Sequence, residues 1–257
     1  MNVKAKKHLG QHFLTDENIA KKIVEGLDFQ PYQYLLEVGP GTGVLTKYLL
    51  EKPTETYVAE IDTESIEYLK LHYQKLENKH FTGDFLKINL SDVFSGEVAV
   101  IGNFPYNISS QILFKIIENY QQIPEMVGMF QKEVAERTAA VPRTKDYGIL
   151  SVLVQAYYDV KYLFTVHENV FNPPPKVKSG VIKLTRNRKE GLEDNEILFK
   201  QIVKTGFGQR RKKLSNALKS LDIPKVLKSH AFMDKRAEEL SVVDFINFTK
   251  EWKAAKN

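Results

Sequence analysis

Along the first 185 residues, apolar positions switch repeatedly between a three-to-four-residue period and short unbroken runs. Ile19, Ile23, Val24 and Leu27 share one face of a helix starting near Thr15 or Asp16, either of which can cap the first amides. The run Tyr34–Val38 predicts a buried strand ended by Gly39-Pro40-Gly41-Thr42-Gly43. Val44, Leu45, Tyr48 and Leu49 give the next helical face. Thr56–Ile61 reads as a second strand, before a helix carrying Ile66, Leu69, Tyr73 and Leu76. Short strands are expected at His80–Thr82, Val98–Ile101 and Met126–Phe130. A helix bearing Ile112, Leu113, Ile116 and Ile117 separates the last two. Leu150–Ala156 and Gly180–Leu184 are the remaining strand expectations.

Strands alternating with helices of this length predict a parallel, doubly wound α/β sheet covered on both faces. Beyond Arg186 the pattern is helical only, at Ile197–Gly206, Lys212–Leu221 and Val242–Trp252. The polar, turn-prone stretch Asn187-Arg188-Lys189-Glu190-Gly191 places a boundary near residue 188. Two domains are therefore expected, over residues 1–188 and 189–257.

Composition narrows the chemistry. With no cysteine, disulfides, thiolate catalysis, iron–sulfur clusters and zinc knuckles are excluded. The six histidines at 8, 12, 72, 80, 167 and 230 never fall at a metal-ligand spacing, so no metal is expected. No run of about 18 apolar residues offers a membrane span. The basic N-terminus MNVKAKKHLGQHFLTDEN lacks the apolar core of a secretory signal, and a cytoplasmic protein is expected. Nothing calls for an obligate dimer, so a monomer is expected. Charge is uneven: residues 186–257 hold 17 basic and 10 acidic side chains, a net +7, which leaves −2 for residues 1–185 in a chain of +5. A basic appendage on a slightly acidic body suits a polyanion such as nucleic acid, or else is a Lys-rich solvated tail.

Glycines packed at the end of a first strand let the backbone approach a ligand that a Cβ would obstruct. The carboxyl end of such a strand is where doubly wound sheets bind nucleotides. Position 44 is valine, so the dinucleotide fingerprint G-x-G-x-x-G is broken, and no G-x-x-x-x-G-K-[ST] phosphate loop is present. The form Glu37-Val38-Gly39-Pro40-Gly41-Thr42-Gly43 instead resembles the adenosylmethionine-binding loop of class I methyltransferases. Glu60 ends the second strand 21 residues after Gly39, where a carboxylate can accept from ribose hydroxyls. Asp84 ends the third, where one can accept from an adenine amino group. Each is weak alone, and a solvated carboxylate explains either; three strand ends in succession argue for an adenosine-containing cofactor.

Asn103-Phe104-Pro105-Tyr106, after the fourth strand, points to the reaction. The exocyclic amine of adenine is a poor nucleophile, because its lone pair is delocalised into the ring. The Asn103 side-chain oxygen and the Phe104 carbonyl can hold its two N–H groups and stabilise the positive charge that develops during attack on a methyl group. Pro105 fixes the direction of the turn, and Tyr106 offers a face for base stacking, worth about 1–3 kcal/mol. An ordinary β-turn is the alternative. The stiff stretch Phe171-Asn172-Pro173-Pro174-Pro175-Lys176-Val177-Lys178-Ser179 presents Phe171 either as a second face for an extruded base or as a buried ring. Arg210, Arg211, Lys212 and Lys213 stand at an expected helix start. Positive charge is unfavourable there unless phosphates approach, the alternative being a solvated charge run.

In this order these motifs resemble the KsgA-type small-subunit rRNA adenine N6,N6-dimethyltransferases over nearly the whole chain. The match starts at Leu9-Gly10-Gln11-His12-Phe13-Leu14 and includes Tyr147-Gly148-x-Leu150-Ser151-Val152 and Phe207–Leu218. The resemblance implies a class I methyltransferase domain followed by a small helical RNA-binding domain. The implied activity is dimethylation of two adjacent adenosines in a hairpin loop near the 3′ end of small-subunit rRNA, late in subunit biogenesis, with S-adenosyl-L-methionine as cofactor. His12, Leu14, Gly39, Gly41, Glu60, Asp84 and Asn103 would contact the cofactor; Asn103, Tyr106 and Phe171 would hold the base. Two positions depart from the usual pattern: His12 stands where Asn is common, and Phe104 where Leu is common. Large-subunit rRNA adenine methylases share the chemistry but match Phe171–Ser179 and Phe207–Leu218 less well. A non-catalytic assembly factor is disfavoured by the intact Asn103-x-Pro105-Tyr106, and a nicotinamide dehydrogenase by the missing glycine and the lack of a hydride-site His or Tyr–Lys pair.

Overall fold

The helix Glu17–Val24 forms where the sequence predicts it. Asp16 in extended conformation accepts from the amides of Asn18 and Ile19 at 2.8 and 3.1 Å, and Ala20, Ile23 and Val24 form the buried face. The computed structural model describes residues 3–30, 32–187, 192 and 195–256. The linker stretch 188–191 therefore lies outside the described residues.

Among these, eight strands are found: β1 Phe13–Leu14, β2 Tyr34–Val38, β3 Glu55–Ala59, β4 Val98–Asn103, β5 Glu125–Gln131, β6 Tyr158–Val166, β7 Phe171–Asn172 and β8 Ser179–Arg186. Six form one sheet in the order β3-β2-β4-β5-β8-β6, while β1 and β7 pair antiparallel in a sheet of two. The first four strands are parallel, with Leu36 opposite Tyr57 on one side and Val100 on the other. The fifth neighbour is not: β8 runs antiparallel to β5, with Met126 opposite Leu184. The sheet is thus doubly wound but mixed. Its central strands read as unbroken apolar runs because both faces are covered: Val98 to Ile101 and Met126, Val127, Met129 and Phe130 have no exposed surface.

Two strand expectations are corrected. Leu150–Ala156 belongs to a helix, Ile149–Gln155, opened by the Gly148 amide donating to the Ser151 hydroxyl at 3.0 Å. A seven-residue segment with five apolar positions is too short for its periodicity to separate a buried strand from a buried helix, and the Ser three residues after Gly148 favours the helix. His80–Thr82 contributes only a single parallel bridge, Phe81 to Val58, after a 3₁₀ turn over Asn78–His80. The expected helix Lys212–Leu221 shrinks to Leu214–Ala217.

The chain divides into two compact units. One runs to Glu136 and resumes over Asp159–Arg186; the other comprises Arg137–Tyr158 and the chain from Asn187 onward. The crossing at 186 lies beside the sequence boundary, but residues 137–158 fall in the second unit rather than the first. Contacts inside that unit explain it: the buried Tyr147 hydroxyl donates to the Leu240 carbonyl at 2.9 Å, and its ring meets Phe207 edge-on. Phe245, Phe248 and Trp252 of the helix Val242–Ala254 complete this unit's core.

Candidate active site

The carboxyl ends of β2, β3 and β4 lie side by side and carry the groups the sequence singles out. Where β2 ends, the Gly39 amide continues the pairing by donating to the Ala59 carbonyl at 2.9 Å, after which the chain turns through three glycines of positive φ. Gly41 shows why glycine is required. Its φ is +55°, and a Cβ there would sit 2.7 Å from the Phe13 ring. Its amide instead donates to Glu60 at 3.3 Å.

Glu60 is 7% exposed, and its other oxygen accepts from the amides of Ile61 and Asp62 at 2.8 and 2.9 Å. Burial raises its pKa above the usual carboxylate value, while the three amides oppose that shift. The carboxylate is thereby held rigid at the end of β3. Beside it, Ile61 is 56% exposed although large and apolar.

Asn103 ends β4. Its amide nitrogen donates to the His12 carbonyl at 2.8 Å. Since a carbonyl can only accept, this fixes the orientation of the amide and leaves Oδ1 as an acceptor. The following turn is anchored by Phe104, 1% exposed, whose amide donates to the Met129 carbonyl at 3.1 Å. Its ring fills the space above Gly102 and Gly128, where a Cβ would lie 2.8 and 2.0 Å from ring carbons. Tyr106 is half-buried and its hydroxyl is 2.5 Å from the Ser179 hydroxyl. Burial raises its pKa, so the phenol stays neutral.

These groups converge on a cavity of about 520 Å³, open mouth included, walled by residues 9–13, Gly39, Gly41, Glu60, Ile61 and Asn103 to Tyr106. A smaller space of about 280 Å³ shares Phe13, Gly39 and Asn103 and adds Leu14, Glu37 and Thr42. His12, Leu14, Gly39, Gly41, Glu60, Asn103 and Tyr106 are therefore brought together. Asp84 is not on either wall; its carboxylate caps the turn ahead, accepting from the Leu86 amide at 3.0 Å. Phe171 is 4% exposed and packs in the core opposite Leu14 across the β1–β7 pair, so its ring is buried rather than presented. Sequence reasoning missed Phe13, Ile61 and Ser179, each an ordinary residue type whose position depends on a distant contact.

The basic run also divides. Arg210 is engaged inside the second unit: it donates to Glu238 at 2.6 Å and to the carbonyls of Lys145 and Thr144 at 2.6 and 2.9 Å. Arg211, Lys212 and Lys213 are exposed, with Lys213 pairing with Asp234 at 2.9 Å. They lead into the helix Leu214–Ala217, whose N-cap is Lys213, so the run does stand at a helix start, but that helix is four residues long rather than the expected Lys212–Leu221. Arg211 and Lys213 line an open depression together with Arg143, Arg236, Asp234, Glu238 and Glu239. No helix of the described residues is long and apolar enough to cross a membrane.

A mixed sheet with a glycine turn after one strand and acidic or amide groups at the next strand ends is the class I methyltransferase fold. The family model for ribosomal RNA adenine dimethylase matches residues 2–253, and the chain belongs to that family. It is 58% identical over 253 residues to a ribosomal RNA small subunit methyltransferase A from Flavobacterium johnsoniae, covering 98% of this chain and 97% of that protein. It is 56% identical over 249 residues to the protein so named in Cytophaga hutchinsonii, covering 96% of each. Among solved structures, a dimethyladenosine transferase from Plasmodium falciparum superposes with a TM-score of 0.83 at 26% identity, covering 95% of this chain and 98% of that one. The 23S rRNA methyltransferase ErmE shares the fold, with a TM-score of 0.66 at 24% identity over 93% of this chain and 99% of that one.

Proposed function

We propose that this methyltransferase uses S-adenosyl-L-methionine to dimethylate the N6 amines of two adjacent adenosines in the hairpin loop near the 3′ end of small-subunit rRNA. It does so during subunit biogenesis, as a cytoplasmic monomer that needs no metal. The observation that carries the reading is the fixed Asn103 amide, whose Oδ1 is an acceptor on the wall of the larger cavity.

The donor set suits adenosylmethionine. Gly39 and Gly41 put backbone without side chains on the cavity wall, Glu60 is a buried carboxylate for ribose hydroxyls, and the exposed Ile61 offers an apolar face for a planar base. When bound, the cofactor supplies an electrophilic methyl group on positively charged sulfur. The chain's own residues act on the amine. Asn103 Oδ1 and the Phe104 carbonyl accept its two hydrogens, draw the nitrogen toward tetrahedral geometry and stabilise the charge it gains. Tyr106 supports the extruded base, with the Ser179 hydroxyl orienting the ring. No strong base is required, because the N–H proton becomes acidic only after the methyl group has transferred. Phe171 contributes from behind, by holding β7 against β1.

Cofactor binding belongs to the first unit and RNA contact to the second, where Arg211 and Lys213 share a depression with Arg143 and Arg236 and Lys212 is exposed. Neutralising Arg211, Lys212 and Lys213 together should lower the slope of log affinity against log salt by roughly 0.7–0.9 for each phosphate that no longer meets a cation. Arg210→Gln should act differently, destabilising the fold by about 1–3 kcal/mol because two backbone carbonyls and Glu238 lose a charged donor. Salt-dependent subunit binding and chemical denaturation separate the two. The reading as a whole is tested by transfer of labelled methyl groups to immature small subunits, compared with large subunits and free rRNA. Preferential labelling of large subunits would overturn it.

A further inference from the structure

Gly43 stands apart from the other two glycines of its turn. Gly39 and Gly41 line the larger cavity, whereas Gly43 is on neither wall. Its φ is +83°, and a Cβ there would lie 2.5 Å from ring carbon Cε2 of Tyr73. The third glycine therefore makes room for a side chain of the protein itself. Tyr73 uses that room. Its hydroxyl donates to the Gly43 carbonyl at 3.0 Å and to the Thr42 carbonyl at 3.3 Å, one hydrogen shared between two acceptors. Burial pushes the phenol up to about 12, so at neutral pH the hydrogen is present to donate.

The far side of this contact is anchored. Tyr73 directly follows the helix Thr63–His72, and its half-buried ring packs with Val58, Leu69 and Leu76. The same helix begins beside Glu60. Asp62 donates its amide to Glu60 at 2.9 Å and caps the helix by accepting from the Glu64 amide and the Ser65 hydroxyl at 3.3 and 3.0 Å. One helix thus meets the glycine turn at two points: the Gly41 amide reaches Glu60 before its start, and the Thr42 and Gly43 carbonyls meet Tyr73 after its end. Between them the Gly43 amide donates to the Pro40 carbonyl at 2.8 Å. Such ties matter because three glycines of positive φ have many conformations open to them, and an untied turn would hold this one for only part of the time.

We propose that Tyr73 is a positioning residue for cofactor binding: its hydroxyl and ring hold the Thr42–Gly43 end of the glycine turn so that Gly39 and Gly41 stay on the cavity wall. Gly43 is glycine in order to admit Tyr73. The proposal rests on the reading of this cavity as the adenosylmethionine site.

Tyr73→Phe, Tyr73→Ala and Glu60→Ala test it, each studied well below its own melting temperature. Adenosylmethionine affinity is read by calorimetry, and KM for the cofactor and kcat by transfer of labelled methyl groups to immature small subunits. Tyr73→Phe keeps the ring and loses the hydroxyl. Its Kd and KM for adenosylmethionine should rise about three- to tenfold, the scale of one hydrogen bond. Its kcat at saturating cofactor should stay within about twofold, since a turn that is competent for part of the time costs affinity in proportion and nothing once the cofactor is bound. Tyr73→Ala also removes the ring from Gly43 and should weaken binding further. A lowered melting temperature with parental Kd in Tyr73→Phe would make the contact purely structural and overturn the proposal, as would a lower kcat at unchanged KM. Weak binding by Glu60→Ala beside parental binding by both Tyr73 variants removes this proposal alone. Parental binding by all three would remove the cofactor reading of the cavity as well.

Discussion

Replacing Asn103 by Ala is expected to slow methyl transfer by about 10²–10³-fold at saturating cofactor and RNA, the scale of losing one preorganised polar group aimed at developing charge. The amide is preorganised in a checkable sense. Its nitrogen is occupied by the His12 carbonyl, so Oδ1 needs no reorientation when an amine arrives. RNA affinity should change little, because phosphate contacts outside this site dominate it. The neighbouring variants divide differently. Tyr106→Ala removes the stacking face and should slow the reaction by disfavouring the extruded base. Tyr106→Phe removes only the bond to Ser179, and should retain most activity because Phe104, buried over Gly102 and Gly128, still fixes the turn. Single-turnover methylation with radiolabelled adenosylmethionine measures all three. A near-parental Asn103→Ala would refute the assignment of the amine to this amide, and an inactive Tyr106→Phe would transfer the role from ring to hydroxyl.

Legibility in the sequence follows the range of the interactions involved. The Gly39–Gly43 turn, the Asp16 cap, and Glu60 and Asn103 at the ends of β3 and β4 are local, and they lie where spacing puts them. The antiparallel insertion of β8 between β5 and β6 was not legible, because strand direction in a sheet is set by partners tens of residues away. Phe171 shows the same limit at one residue. The proline stretch after it was legible, but its pairing opposite Leu14, which turns the ring into the core, depends on a contact 157 positions away. Arg210 and Arg211 are adjacent and chemically identical, yet one is engaged by Glu238 and two carbonyls while the other is exposed. Charge counting treats them alike; only the fold of residues 144, 145 and 238 tells them apart. Arg143 and Arg236 escaped notice for the converse reason, being isolated in sequence and adjacent to Arg211 and Lys213 only in space.

Folding stability is expected to decline with rising pH because of Glu37, and Glu37→Gln should abolish that contribution. The carboxyl is fully buried, and burial pushes its pKa up from 4.5 to about 8, with the charge of Glu60 adding in the same direction and the bond from the Thr46 hydroxyl at 2.6 Å opposing. The sign follows from which state holds the proton more tightly. The folded chain does, so the stabilisation is complete below 4.5, shrinks as the unfolded carboxyl ionises, and is exhausted once pH passes about 8. At about 1.4 kcal/mol per tenfold change in proton affinity, the interval is worth on the order of 3–5 kcal/mol by pH 9. Gln preserves an acceptor for Thr46 and cannot ionise. Denaturation of the ligand-free protein and of the variant, followed from pH 5 to pH 9, should therefore give curves that separate steadily as pH rises, the variant being the more stable at the alkaline end. Parallel curves would mean that Glu37 ionises normally where it stands, and that the wall it forms beside Gly39 and Asn103 carries a negative charge at neutral pH.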